Sequence, residues 1–359
     1  MLKNAYYKPD TGNAELETLP NIDINIKCGN SLISRYPLDA DIKTALKSSK
    51  WNVDNYREAV MTYRNAQSKD EKHSMEQLIS KIKNDFETEV SKSDKRFLKL
   101  NKLNGELLSL TGQSSLFELT KMQKEDWNRK VKKLTVEIQC FESQITEIKS
   151  NKIYENAFEW RFEFPEVLNN DGDFVGFDVV IGNPPYIRQE DIKVQKPYLK
   201  NNYKTYTGTS DLYVFFIEKG FEILRSSGHF CFIMPDKWMQ TGYGKPLREL
   251  LLQFRLQSIV DFGDLQVFDE ATTYPCILNA SKQSQSPTFR SLKLESLLFE
   301  NGFDSFINSS AQELAVSELS GETWMIKDKI DQKILSKLKF NFKSLSEYVE
   351  DKLFRGILT

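Results

Sequence analysis

Four consecutive residues, Asn183, Pro184, Pro185 and Tyr186, combine groups that can hold an amino group attached to an aromatic ring. The side-chain oxygen of Asn183 can accept one N–H of such an amine, and the carbonyl oxygen of Pro184 can accept the other. Two successive prolines fix the backbone, and the first restricts Asn183 to extended geometry. Tyr186 offers a π face on which a base rotated out of a duplex can stack.

This set of groups suits methylation of an exocyclic aromatic amine. The lone pair of such a nitrogen is delocalised into the ring, so the nitrogen is a poor nucleophile. Acceptors that hold both N–H bonds and favour a more tetrahedral nitrogen would restore nucleophilicity for in-line attack on a sulfonium methyl group. The proton can leave after the methyl transfer, so no general base with a tuned pKa is required.

A short strand must position these residues. Residues 177–181 form an apolar run closed by Gly182 and two prolines, which is typical of a buried parallel strand. The run predicts that Asn183 directly follows the end of that strand. A proline-rich turn that only closes the strand, with Tyr186 as a packing aromatic, stays open as the alternative.

Helices and strands then alternate along the chain. Ser210-Asp211 predicts a helix N-cap, the helix is expected to stop before Gly228, and Pro246 opens a second helix. The inward face of the first helix is predicted to carry Leu212, Phe215, Phe216, Ile223 and Leu224. Further strands are predicted at 229–234, 258–262 and 274–278. This order predicts an α/β, doubly wound sheet with its site at the carboxyl ends of the strands. Beyond Ser281 the pattern is too weak to assign a compact unit.

The region from Asp41 to Ser150 contains no proline and only two glycines, Gly105 and Gly112. Apolar residues spaced by three and four form two helical stripes, which predict a pair of long antiparallel helices turning at the glycines. One stripe is Met75, Ile79, Ile82, Phe86 and Val90, extended by Phe97 and Leu100. The other is Trp127, Val131, Leu134, Ile138, Phe141, Ile145 and Ile148. The charged outer faces are interpreted as solvated surface rather than a nucleic-acid grip.

The composition excludes several classes of protein. The 359 residues carry a formal charge of −2, so any surface for nucleic acid must be local. Four widely spaced cysteines and two histidines make no plausible zinc set, which predicts no metal site and reduced thiols in a cytoplasmic protein. No run is long and apolar enough to predict a membrane span, and Met1 does not begin a signal peptide.

These motifs, taken together, resemble the γ-type amino-methyltransferases over most of residues 21–281. Besides Asn183-Pro184-Pro185-Tyr186, three segments resemble the family's following motifs: Ser210–Tyr213, Gly228–Pro235 and Val267–Tyr274. The resemblance implies a methyltransferase (Rossmann-like) sheet and S-adenosylmethionine as the methyl donor. It also implies double-stranded DNA with a flipped adenine, methylated at N6, as the substrate.

The resemblance also assigns the binding residues. An aromatic residue of the family's last motif stacks on the second face of the flipped base. Tyr274 matches that position best and Phe268 is the fallback, while a plain core tyrosine at 274 is the alternative. Residues 26–32 resemble the turn that meets the adenine ring of the cofactor, which makes Asn30 the contact with Ser31 beside it. Many relatives carry Asp there, and a simple strand-ending turn is the alternative.

Two departures from the family pattern predict an internal fragment of a larger protein. Residues 1–20 contain neither the Gly-rich cofactor loop nor its acidic ribose ligand. Residues 354–359 resemble the opening of the target-recognition domain of single-chain type IIG restriction-modification enzymes, and the helical insertion fits that group. No Pro-Asp … Asp/Glu-x-Lys nuclease core is visible, so any cleavage module would lie outside the chain.

The predicted organisation is therefore a partial methyltransferase sheet interrupted by a helical hairpin. The tail of the cofactor half is placed at 1–40, the hairpin at 41–152, the catalytic half at 153–285 and a linker at 286–359. A strand at 22–26 would lack its neighbour, and the strand ending at Ile181 would keep an open edge, which allows self-association. Alone, the chain is expected to be inactive and to bind the cofactor poorly. The rival readings are a protein-glutamine methyltransferase and a non-catalytic DNA-binding or assembly module.

Overall fold

The computed structural model describes residues 22–38, 47–113, 120–150, 152–268, 273–299 and 302–319, and, nearer the C-terminus, 321, 323–324, 334, 337–338, 340–343 and 345–349. The chain divides into two compact units, 1–176 and 177–359. In the described residues, the first unit is helical and the second contains the β-sheet. The termini at 1–20 and 354–359, which carry two of the predictions above, lie outside the described residues.

Four long helices form most of the first unit: α1 (Val53–Asn65), α2 (Lys69–Ser93), α3 (Lys95–Gln113) and α4 (Lys121–Ser150). A short helix, α5 (Trp160–Glu163), follows them. The start of α1 is fixed by a capping box, since the Asn55 amide donates to the Asn52 side chain over 2.8 Å and Asn52 is bonded in return. The Ser68 hydroxyl caps α2 in a similar way, accepting from the Glu71 amide.

The helical hairpin exists, but its partners differ from the predicted ones. Helix α3 packs along α4, where the Trp127 indole donates to the Leu110 carbonyl over 3.1 Å. The apolar stripe of α2 instead packs against α1, in a core that includes Tyr56 and Phe162. Gly105 and Gly112 lie inside α3, so the prediction of a turn there is wrong. Both positions are open on the side where a Cβ would stand, and an exposed glycine costs a helix only about 1 kcal/mol.

The predicted strand at 22–26 is wrong as well. Residues Ile22–Asn25 form a 3-10 helix, and the Ile26 amide donates to the Asp23 carbonyl over 3.0 Å. The polar side chains that alternate with the apolar residues of 22–26 accept hydrogen bonds from α1. Asp23 accepts from the Tyr63 hydroxyl, and Asn25 accepts from Arg64. These polar contacts with α1 fix the turn, because extended geometry would move the two acceptors apart.

The second unit contains one mixed six-stranded sheet, which confirms the α/β class. Its strands are β1 (Phe177–Gly182), β2 (Leu224–Pro235), β3 (Arg255–Asp261), β4 (Pro275–Ser281), β5 (Thr288–Lys293) and β6 (Gln312–Ala315). The spatial order is β1-β2-β4-β3-β5-β6. The pairs β1–β2 and β3–β5 are parallel, whereas β4 runs antiparallel to both of its neighbours and β6 runs antiparallel to β5.

The described part of the second unit also contains the helices α6 (Lys196–Asn202), α7 (Leu212–Ile223), α8 (Lys245–Leu251), α9 (Phe303–Ser310) and α10 (Leu345–Tyr348). On one side, α7 packs its Phe221 ring between Phe230 of β2 and Phe254, at centroid distances of 4.7 and 4.4 Å. A second apolar cluster joins Phe303 of α9 to Phe262 and β5. Strands β5 and β6 thus belong to the sheet, whereas the prediction placed both strands in a linker.

Strand β1 is the least covered strand of the sheet. It stands at one end of the order, with β2 as its neighbour among the described strands. The open edge of β1 stays a prediction. The prediction of a buried strand is wrong, since the side chains of Val179 and Ile181 are 57% and 77% exposed on one face.

Candidate active site

Asn183 leaves the sheet at the carboxyl end of β1. The parallel register pairs Gly182 with Phe232, so the residues after Gly182 lie beside the last part of β2. Asn183 is exposed, Pro184 is buried and Pro185 is exposed. Within the described part of the chain, the Asn183 carboxamide has no hydrogen-bond partner. A rigid backbone thus presents a side-chain oxygen that is free to accept from a ligand.

Tyr186 is anchored rather than loose. It is half-buried against the core of the second unit, and its hydroxyl donates to the Ile233 carbonyl of β2 over 3.4 Å. Its ring meets Phe268 edge-to-face, with centroids 6.1 Å apart. Burial raises the pKa of Tyr186 to about 12, so the side chain is a neutral phenol at physiological pH. The structure therefore brings together two of the predicted aromatic residues, Tyr186 and Phe268.

Tyr274 lies at the same edge of the sheet. Pro275 pairs with Pro235, and the Tyr274 carbonyl accepts from the Asp236 amide over 2.9 Å. The side chain of Tyr274 is 49% exposed, and its role as the second wall of the base pocket stays a prediction. Residues 269–272, between Phe268 and Tyr274, lie outside the described residues.

The segment after Tyr186 is held by the start of α7. Asp211 is the N-cap residue of that helix, as predicted, but its carboxylate accepts from the Gln189 amide over 3.1 Å instead of capping. The Leu212 amide donates to the Ile187 carbonyl over 2.9 Å. Burial raises the pKa of Asp211. The residues of the Ser210–Tyr213 motif thus brace the candidate site, a role that the sequence analysis did not assign to them.

Asp236 is a further residue that the sequence analysis missed. It follows β2 directly and is half-buried. Burial, together with the charge of Asp261, raises its pKa to about 6. Its place directly after Pro235, the last residue of a motif already recognised, was the available signal.

The predicted cofactor contacts lie in the first unit. The Asn30 side-chain oxygen accepts from the Leu32 amide over 3.2 Å, closing a local turn. The Asn30 amide donates to the Asn156 carbonyl, and the Ser31 carbonyl accepts from the Trp160 indole over 3.1 Å. These groups take part in hydrogen bonds within the fold itself. A role for Asn30 and Ser31 stays a prediction.

Two classes of site are absent from the described ranges. No group of His, Cys, Asp or Glu side chains there could hold a metal ion. No helix there is long and apolar enough to cross a membrane.

The segment 97–268 matches the family of Eco57I restriction-modification methylases. The match includes β1, Asn183 to Tyr186, α7, β2 and Phe268. The chain is therefore similar to Eco57I restriction-modification methylases over somewhat less than half of its 359 residues.

Three relatives illustrate the range of similarity. The type II restriction enzyme and methyltransferase RM.Eco57I of Escherichia coli is 32% identical over 46% of this chain and 17% of its own length. The type II methyltransferase M.XhoI of Xanthomonas vasicola is 40% identical over 28% of this chain and 19% of its own. The putative type II restriction enzyme and methyltransferase RM.MjaORFECS2P of Methanocaldococcus jannaschii is 25% identical over 92% of this chain and 30% of its own. The chain thus spans less than a third of each of these relatives.

Proposed function

We propose that this chain is the catalytic part of an S-adenosylmethionine-dependent DNA methyltransferase that methylates adenine at N6 in a cytoplasmic restriction-modification system. The observation that carries the proposal is the exposed, unpartnered Asn183 carboxamide at the end of β1, next to the anchored Tyr186–Phe268 pair. The relatives are named as type II methyltransferases or as combined restriction enzymes and methyltransferases. These names support methyl transfer as the class of reaction.

In the proposed reaction, an adenine rotated out of the duplex places its amino group at Asn183. The Asn183 side-chain oxygen and the Pro184 carbonyl accept the two N6–H bonds and draw the nitrogen toward tetrahedral geometry. Tyr186 stacks on one face of the base, and Tyr274 covers the other, with Phe268 as the fallback. The anchor from the Tyr186 hydroxyl to Ile233 fixes the ring before the base arrives.

S-adenosylmethionine would supply the methyl group as a sulfonium. Because the groups of Asn30 and Ser31 named above serve the fold, we assign to the described residues only the work done on the base: binding the amine, stacking the ring and orienting the nitrogen. The acceptor pair needs no charged general base, since the methylated amine loses its proton after transfer.

The choice of adenine can be tested directly. DNA from cells that produce the larger protein to which the chain is predicted to belong, in a host without adenine methylation, is digested to nucleosides and analysed by mass spectrometry. We expect N6-methyladenine with the wild-type protein and none with Asn183→Ala. N4-methylcytosine, or methylglutamine in cellular protein without modified DNA, would assign the site to a different substrate.

A further inference from the structure

The loop that follows β2 is held by a residue of the next helix. This site loop, residues 236–244, consists mainly of two 3-10 turns. Arg248 of α8 is 2% exposed, and its guanidinium donates to the carbonyls of Trp238 and Thr241 in the loop. The same guanidinium donates over 3.0 Å to the carbonyl of Gly321. A planar, buried group satisfied by three carbonyls fixes the segments that carry them relative to one another.

A second contact ties the same loop to residues near the C-terminus. Trp238 and Trp324 are both fully buried, and their rings meet edge-to-face with centroids 5.3 Å apart. The Trp324 amide donates to the Met239 carbonyl over 2.8 Å. We call Gly321 and Trp324 the strap, because Trp324 contacts the site loop and Gly321 contacts Arg248, which holds that loop, from more than seventy residues further along the chain.

The site loop is tightly packed at its last residue, Gly244. A Cβ at Gly244 would stand 1.9 Å from the Trp238 carbonyl oxygen and 2.7 Å from the Arg248 guanidinium. Only glycine allows this approach. A displacement of the strap is therefore passed to the end of the loop rather than absorbed within it.

The end of the loop reaches the candidate site through hydroxyl groups. Tyr243 shares a hydrogen bond of 2.9 Å with the Tyr213 hydroxyl and lies 3.4 Å from a carboxylate oxygen of Asp211. The other carboxylate oxygen of Asp211 accepts from the amide of Gln189, three residues after Tyr186. The strap is thus connected to the backbone that carries the stacking tyrosine.

We propose that the strap, acting through Arg248 and Tyr243, is a positioning device that fixes residues 187–189 and hence Tyr186. Any part of the protein that pulls on the strap changes the order of this backbone. The connection itself is independent of the proposed reaction. Only its consequence for base capture rests on the proposed function.

Hydrogen–deuterium exchange of the whole chain tests the connection at a distance. We expect Trp324→Ala and Tyr243→Phe to raise exchange in peptides covering 187–190 on the order of 5-fold, the scale of one lost hydrogen bond. Asp211→Ala has the same expected effect, whereas Asp211→Asn retains an oxygen that accepts from Gln189 and restores the protection.

The matched control is Phe289→Ala, which removes a buried aromatic from β5 in the same core but lies off the proposed path. It should leave peptides 187–190 as protected as in the wild type. The proposal is overturned if Phe289→Ala raises their exchange equally, because the effect is then general loosening. It is also overturned if Trp324→Ala exposes only 236–244. If the peptides respond as expected while the larger protein to which the chain is predicted to belong methylates no DNA, the proposed function fails and the positioning device stands.

Discussion

Strands β1 and β4 are both apolar in sequence, but they differ in burial and in the number of neighbouring strands. β4 lies between β2 and β3, and its Cys276, Leu278 and Ala280 are fully buried. β1 has one described neighbour and leaves Val179 and Ile181 exposed. Yet β1 carries the candidate catalytic residues. The comparison shows that the candidate site follows the least covered strand, so the proposed positioning of its residues depends on contacts outside the sheet, such as those of loop 236–244.

The largest expected effect is a difference between the two strands in how much a substitution lowers the free energy of unfolding. Leu278→Ala in β4 should lower the free energy of unfolding by roughly 2–5 kcal/mol, since it leaves a cavity in a packed core. Ile181→Ala in β1 should cost less than about 1 kcal/mol, because that side chain already faces solvent. Urea unfolding of both variants measures the difference. Equal losses would show that β1 is covered in solution.

The next effect is a difference in the rate of methyl transfer between a substitution directly after β1 and a substitution in β4. Asn183→Ala should reduce methyl transfer on the order of 100-fold, because it removes an acceptor that acts mainly in the transition state. The matched control is Asn279→Ala in β4, which should keep the rate within about twofold if its fold is intact. Single-turnover methylation of duplex DNA measures both. A wild-type rate for Asn183→Ala would show that the catalytic site does not lie at the end of β1.

A smaller effect concerns the two walls of the base pocket. Tyr186→Ala and Tyr274→Ala should each weaken capture of the extruded base by about 1–3 kcal/mol, the scale of one aromatic stack. Phenylalanine at either position should be tolerated, since the π face does the binding. Fluorescence of 2-aminopurine at the target position reports extrusion. Unchanged extrusion in Tyr274→Ala would leave Phe268 as the second wall.

The smallest effect depends on pH and lies at the end of β2. The pKa of Asp236 is raised to about 6, so its carboxylate opposes folding above that pH, and the penalty fades as the pH falls toward 3.8. Asp236→Asn should therefore stabilise the protein at pH 7, by about 1 kcal/mol after allowance for its partial exposure. The gain should shrink between pH 6 and 4. Urea unfolding at several pH values measures it, and a gain independent of pH would contradict the assignment.

The sequence predicted the strands that carry the site well, because apolar runs ending at prolines and glycines encode their own boundaries. Observed β1, at Phe177–Gly182, differs from the predicted run by one residue. Asn183, Tyr186 and Phe268 also stand at the predicted edge. These features are local, and local patterns are what a single sequence records.

Features that depend on distant partners were missed. Burial of β1 could not be read from its apolar residues, because burial requires a neighbour that the pattern does not specify. The turn predicted at Gly105 failed because an exposed helix tolerates glycine. The bracing of Gln189 by Asp211 joins residues 22 apart, and the strap joins α8 to Gly321. No periodicity encodes such contacts.

The reversed direction of β4 has a consequence for how the site can vary. In a parallel strand, the connection that follows reaches the carboxyl edge of the sheet, whereas in β4 the connection that precedes it does so. Phe268 and Tyr274 therefore arrive at the site from the loop between β3 and β4, while the loops after β1 and β2 bring Tyr186 and Tyr243. The loop between β3 and β4 joins two adjacent antiparallel strands, so the length of this loop can change without altering the register of the sheet. Related proteins can reshape one wall of the pocket by insertions there and keep the other wall intact.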